Sequence, residues 1–96
     1  MYRLEYISTF YADISNIAEI LSDYPEKAER IFLKLEKALK GLTNMPEMYP
    51  VYDHFPIFRK ITIEDYVAFY IVHKHEGLVE VHRLLYEGMD IPAHLM

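Results

Sequence analysis

The chain has 96 residues, 52% of them hydrophobic and 26% charged, with a net charge of −5 and no cysteine. This is the composition of a globular protein, and the length gives one domain, residues 1–96, burying about 60–70% of its unfolded surface. It excludes disulfides, thiolate metal sites and thiol catalysis, and fits a reducing cytoplasmic compartment.

The opening MYRLEYISTF is not a secretion signal, because Glu5 interrupts its apolar run. Every apolar run in the chain falls far short of the roughly eighteen residues that a membrane span needs. Residues 2–8 alternate Tyr2, Leu4 and Tyr6 with Arg3 and Glu5, which predicts a first strand. Ser8 or Thr9 is placed to cap a helix over about 9–23, with Phe10, Ile14, Ile17, Ala18 and Leu21 on one stripe. Asp13, near its start, suits the helix dipole. Pro25 and Glu26 restart the pattern. Ala28, Ile31, Phe32, Leu35, Ala38, Leu39 and Leu42 then form a second stripe, so the two helices make an antiparallel hairpin.

Residues 41–56 hold three prolines and a glycine and predict an irregular loop. Strands follow at 57–65, 66–73 and 78–86, with turns at Glu64-Asp65 and at HKHEG around Gly77, an antiparallel meander. Residues 87–96 form a tail. The order is β-α-α-β-β-β, an α+β fold with the helical hairpin on one face of a small antiparallel sheet.

The middle strand, YVAFYIV, is apolar on both faces. If Tyr66, Ala68, Tyr70 and Val72 lie under the helices, then Val67, Phe69 and Ile71 look out. These three are expected to stay partly exposed or to be covered by another chain.

Charge is uneven. Residues 25–42 carry five basic side chains against three acidic, and residues 43–96 carry four against eight. Nucleic-acid affinity rests on cationic contacts to phosphate, so the second half argues against RNA or DNA as a direct partner. His73 and His75 at i, i+2 share a strand face, but the five histidines form no ligand framework, and no metal or cofactor is expected. Arg59 and Arg83 are the arginines of the sheet region. Each either grips a phosphate or carboxylate or pairs with an acidic neighbour such as Glu80, Glu64 or Asp90. Glu87, Asp90, Tyr86 and His82 carry acid–base groups, but they sit at a strand end and in the tail. Nine tyrosines suit half-buried strands or an interface.

The chain resembles the RelE/ParE superfamily of toxins from type II toxin–antitoxin systems, which includes plasmid stabilisation proteins, over about residues 2–92. The likeness rests on YRLEYIS, on Ala12-Asp13-Ile14 with Ile17, and on Ala28–Leu42 followed by Met45-Pro46. It continues in Phe58-Arg59-Lys60 (without the family's glycine), Asp65-Tyr66 with Tyr70, and Val79 to Asp90 through Val81, Arg83 and Leu85. The messenger-cleaving members carry basic residues on the open sheet face and near the C-terminus. Here Val67 follows the Asp-Tyr pair where those members have arginine, and Tyr86-Glu87-Gly88-Met89-Asp90 replaces the basic cluster; Arg59 and Arg83 carry over.

The resemblance therefore implies the ParE-like branch, which is associated with inhibition of DNA gyrase. It implies action by protein–protein binding rather than catalysis, a cognate antitoxin packing along helices and sheet, and no membrane partner. A homodimer stays open. The residues implied for partner binding are Val67, Phe69, Ile71, Arg59, Arg83 and Tyr86. Two alternatives remain: a ribosome-dependent endoribonuclease using Arg59 and Arg83 as its catalytic residues, and a non-toxic interaction module of the same fold.

Overall fold

The computed structural model of the chain describes residues 1–95. Its elements are β1 (Arg3–Tyr6), α1 (Ser8–Ile20), α2 (Pro25–Gly41), β2 (Arg59–Ile63), β3 (Tyr66–His73), β4 (Leu78–Tyr86) and a short α3 (Ile91–Leu95). The sheet order is β1-β4-β3-β2. The meander β2-β3-β4 is antiparallel as expected, but β1 runs parallel to β4, with Leu4 opposite Val79 and Tyr6 opposite Val81. The sheet is thus mixed rather than wholly antiparallel. A parallel pair needs a long crossover, and here everything between β1 and β4 supplies it.

The helices start and stop for local reasons. Ile7 occupies the position before α1 and makes no side-chain cap, so neither Ser8 nor Thr9 plays the expected role. The Thr9 hydroxyl donates instead to the His82 carbonyl at 2.8 Å. Pro25 does open α2, and Glu26 and Lys40 complement its dipole at the two ends. The four-residue spacing of Ile31, Leu35 and Leu39 lays one stripe of α2 on the sheet, beside Phe10, Ile17 and Leu21 from the first hairpin arm. Under them lie Tyr66, Ala68 and Tyr70 of β3, the face that the resemblance sets there.

Tyr70 is fully buried and donates its hydroxyl to the Pro46 carbonyl at 2.7 Å. Burial pushes that hydroxyl's pKa up to about 12, so it stays a neutral donor. The bond ties the loop after α2 to the centre of the sheet.

The other face of β3 is not open. Val67 is 7% exposed, Phe69 0% and Ile71 9%, which corrects the expectation that these three stay accessible or need a second chain. The chain itself covers them. The loop before β2 folds back along the strand edge: Val51 bridges Arg59, Tyr52 N–H donates to the Phe58 carbonyl at 2.8 Å, and Lys60 N–H donates to the Pro50 carbonyl at 3.0 Å. These bonds lay aromatic rings over Phe69, with centroids at 5.1 Å for Tyr52 and 6.3 Å for Phe58, both edge-on. Ile91 and Leu95 of α3 pack against the same cluster.

The tip of the β2-β3 hairpin is the two-residue turn predicted. Glu64 there has φ 56°, a left-handed conformation that a side-chain-bearing residue adopts only at a cost of about 1 kcal/mol or more. Three cations of α2 hold it. Arg30 donates two bonds to the Glu64 carboxylate at 2.6 and 2.9 Å, Lys34 a third at 3.1 Å, and Lys27 reaches Asp65 at 3.2 Å.

Candidate functional site

A β-bulge decides where Arg83 goes. Phe69 lies opposite Arg83 while Tyr70 lies opposite Val81, so His82 is an extra residue in β4. Val79 and Val81 face the helices, and strict alternation would bring Arg83 under them next. The bulge shifts the parity, and Leu84 takes that inward place instead.

Arg83 is released to the sheet's flank, where it meets Asp13. Its Nε donates to Asp13 Oδ2 at 2.7 Å and one terminal nitrogen to Oδ1 at 3.0 Å, a two-pronged ion pair. The same Oδ2 accepts the Leu84 N–H at 2.9 Å. The other terminal nitrogen donates to the His94 carbonyl at 2.7 Å, so one guanidinium joins α1, β4 and the tail.

Asp13 is 7% exposed and sits mid-helix on the buried stripe. It anchors the fold rather than complementing the helix dipole, and the acidic partner of Arg83 is therefore Asp13, not Glu80, Glu64 or Asp90. Its position three residues after Phe10 and four before Ile17 was the signal, since a carboxylate on an apolar stripe requires a cation.

Arg59 is also engaged. It donates to the Tyr49 carbonyl at 2.7 Å and the Glu47 carbonyl at 3.3 Å, and pairs with the Glu47 carboxylate at 3.3 Å. Both arginines thus hold irregular chain onto the sheet, Arg59 the loop and Arg83 the tail. The structure does not bring them together at one site.

The remaining polar cluster of the loop-covered face is His73, Glu80 and His82. Glu80 Oε1 lies 2.5 Å from His73 Nε2 and 3.5 Å from His82 Nε2. The His73 hydrogen bond holds the Glu80 carboxyl below its ordinary range. His82 Nε2 is buried without a hydrogen bond, and its ring stands edge-on to Phe58 at 5.4 Å. Among the described residues no group of three or more His, Asp or Glu side chains is placed to hold a metal ion.

Of the implied partner-binding positions, Tyr86 is the one on the surface, at 49% exposure, with its ring edge-on to Tyr66. The Tyr86 ring lies close over Gly88, so a Cβ there would push that ring aside. Periodicity gave no sign of the apolar groove between α1 and α2, a cavity of about 330 Å³ with Phe10, Tyr11, Ile14, Phe32 and Leu35 in its walls and Glu36 at its rim. Tyr11 and, on the outer side of α2, Leu33 remain well exposed. Such a stretch of apolar surface between two helices has the form of a helix-accepting groove.

Three solved structures share this fold. A chain from the chromosomal ParDE toxin–antitoxin system of P. aeruginosa superposes with TM-score 0.72 at 20% identity, covering 90% of this chain and 96% of that one. The isolated E. coli RelE toxin gives 0.67 at 16% identity over 99% and 95%. YafQ from E. coli strain BL21(DE3) gives 0.59 at 19% identity over 100% and 99%. The fold is therefore that of the RelE/ParE toxins.

Residues 4–91 match the model of the family described as ParE toxin of type II toxin–antitoxin system, parDE, and the chain belongs to that family. A comparison with curated proteins returned no significant match. No helix among the described residues is long and apolar enough to cross a membrane.

Proposed function

We propose that this type II toxin acts by binding a protein target, with DNA gyrase the first candidate, and not by cutting RNA. The observation that carries this reading is the engagement of Arg83 by Asp13 and of Arg59 by Glu47 and Tyr49. Metal-free phosphoryl chemistry needs cationic groups preorganised around the scissile phosphate. Here both candidate catalytic arginines are spent on the fold. Val67, where the ribonucleases carry arginine, lies under the chain's own apolar cover. Tyr86 is the position of the implied set that remains available for a target contact.

The cognate antitoxin has a different place in this reading. An amphipathic segment that folds on binding enters the groove between α1 and α2 and covers Tyr11 and Phe32. Tyr11→Asp, at a well exposed position, is expected to abolish rescue by the co-expressed antitoxin while leaving the fold intact by circular dichroism.

The test of mechanism is direct. Purified toxin is incubated with ribosome-bound message and, separately, with gyrase and relaxed plasmid. Intact message with blocked supercoiling is the expected result. Message cleavage that disappears in Arg59→Ala and Arg83→Ala would establish the ribonuclease instead. Absence of growth arrest after induction without antitoxin would leave a non-toxic interaction module.

A further inference from the structure

A cavity of about 620 Å³ opens between the C-terminal half of α1 and the end of the sheet where β3 begins and β4 stops. Buried Ile17, Leu21 and Leu84 line its depth, and Ile20, Tyr86 and Met89 stand at its mouth, 68%, 49% and 40% exposed. A space of this size takes one or two large side chains rather than a whole helix. Tyr86 is held from both sides. Its ring stands edge-on to Tyr66 at 6.1 Å and lies close over Gly88. An aromatic ring that is exposed yet already positioned loses little freedom on binding, which suits it to anchor an interface.

Charge selects the occupant. The cations in the walls, Lys27 and Arg83, are each held by a carboxylate, Asp65 at 3.2 Å and Asp13 at 2.7 Å. What surrounds the mouth beyond these pairs is acidic. Glu19, Glu87 and Asp90 directly adjoin Ile20, Tyr86 and Met89 in the chain, and all three are exposed. Among the described residues none of the three pairs with a cation. Such a rim repels nucleic acid. A second copy docking face to face would set these carboxylates against their own counterparts.

We infer that this cavity anchors the target protein, and that it takes a large apolar side chain flanked by arginine or lysine. The inference rests on the reading of the chain as a toxin that binds a protein through Tyr86, and adds the chemistry that the target must present. The anchor fills the space over Ile17 and Leu84 and packs on the Tyr86 ring, while the flanking cations meet Glu19 and Glu87.

The full chain, isotopically labelled at its methyl groups, is titrated with acetyl-Arg-Trp-Arg-amide and with acetyl-Glu-Trp-Glu-amide. The Ile20 and Met89 methyl shifts are followed by NMR. The basic peptide is expected to give saturable shifts, to bind about tenfold tighter than the acidic one and to lose affinity with added salt. Ile20→Lys, at an exposed position, removes an apolar wall and adds a cation, and is expected to abolish the Met89 shifts. Glu87→Lys reverses one rim charge and is expected to weaken the basic peptide about threefold, which secures the result if the first variant folds poorly. Equal binding of the two peptides, or Met89 shifts that persist in Ile20→Lys, would overturn the inference. Pull-down with gyrase separates it from the reading beneath it. Gyrase bound equally by wild type and Ile20→Lys would overturn the inference and leave the protein-binding reading standing. Selective binding of the basic peptide without any binding of gyrase would remove gyrase as the target and uphold the cavity's preference.

Discussion

On one side of the sheet, Tyr66, Ala68 and Tyr70 lie beneath two helices whose buried residues recur every three or four positions. On the other, Val67, Phe69 and Ile71 lie beneath an irregular loop and a five-residue helix. Both faces of β3 exclude water equally well. The first cover is built by local helix formation and would pack wherever an apolar surface was offered. The second has no periodicity of its own and is held by a few specific bonds, those of Arg59 and Arg83 and the short ladder along β2. A face sealed in this way is a true core only if its cover stays down.

The sharpest way to break that comparison is to remove the residue the second cover is built around. Phe69→Ala deletes a ring with no solvent exposure and two aromatic neighbours, Tyr52 and Phe58. If the loop-covered face packs as tightly as the helix-covered one, urea denaturation should show a loss of about 3–5 kcal/mol. A loss below about 1 kcal/mol would mean that the loop collapses into the space, and that the two faces differ in kind.

Asp13→Ala comes next and strikes both faces at once. It strands the Arg83 guanidinium and the Leu84 N–H, and loosens the tail that Arg83 holds through His94. Breaking a buried pair costs about 3–5 kcal/mol, and the partial exposure of Arg83 places this one near 3. The comparison predicts a further sign: amide exchange at Ile91–Leu95 should accelerate more than exchange within α2.

Tyr70→Phe probes the helix-covered side with a smaller change. It keeps the ring but leaves the buried Pro46 carbonyl without its donor, for an expected loss of about 1–3 kcal/mol. Because the Tyr70 hydroxyl titrates only near 12, this contribution should be constant from neutral pH up to about 10.

These contrasts also explain what could be read from residues alone. The helical hairpin was legible because its stripes repeat, and the meander because its strands alternate between turn-forming residues. Which face of β3 lies beneath the helices came from the family resemblance, since seven consecutive apolar residues cannot set it. The opposite face was misread because proline-rich chain such as residues 46–56 carries no pattern that says where it lies. Its position comes from hydrogen bonds to the outward groups of β2, which any sequence can make.

The Asp13–Arg83 pair was hidden for a different reason. The partners are seventy residues apart. They meet only because β1 crosses to the far edge beside β4 and because the bulge at His82 turns the arginine out. Read as an unbroken strand, Val79, Val81 and Arg83 would share one face. The buried Asp13 alone announced that some cation had to arrive.

The smallest effect belongs to the hairpin tip, where both covers meet solvent. Arg30 and Lys34 hold the Glu64 carboxyl at about 2, against an ordinary 4.5, chiefly through their hydrogen bonds. In the unfolded chain Glu64 takes up its proton near 4.5, while the folded protein resists until about 2. Between those values the unfolded state binds more protons, so the stabilisation present above 4.5 is lost progressively as pH falls toward 2. Arg30 and Lys34 are half exposed, so salt should weaken the effect. Glu64→Gln removes the titrating group and should flatten this limb of the stability–pH curve, measured by denaturant melts from pH 5 to 2. If the wild type and Glu64→Gln curves run parallel through that range, the turn is held by its backbone alone. Arg30 and Lys34 would then be surface charge rather than the clamp on a strained residue.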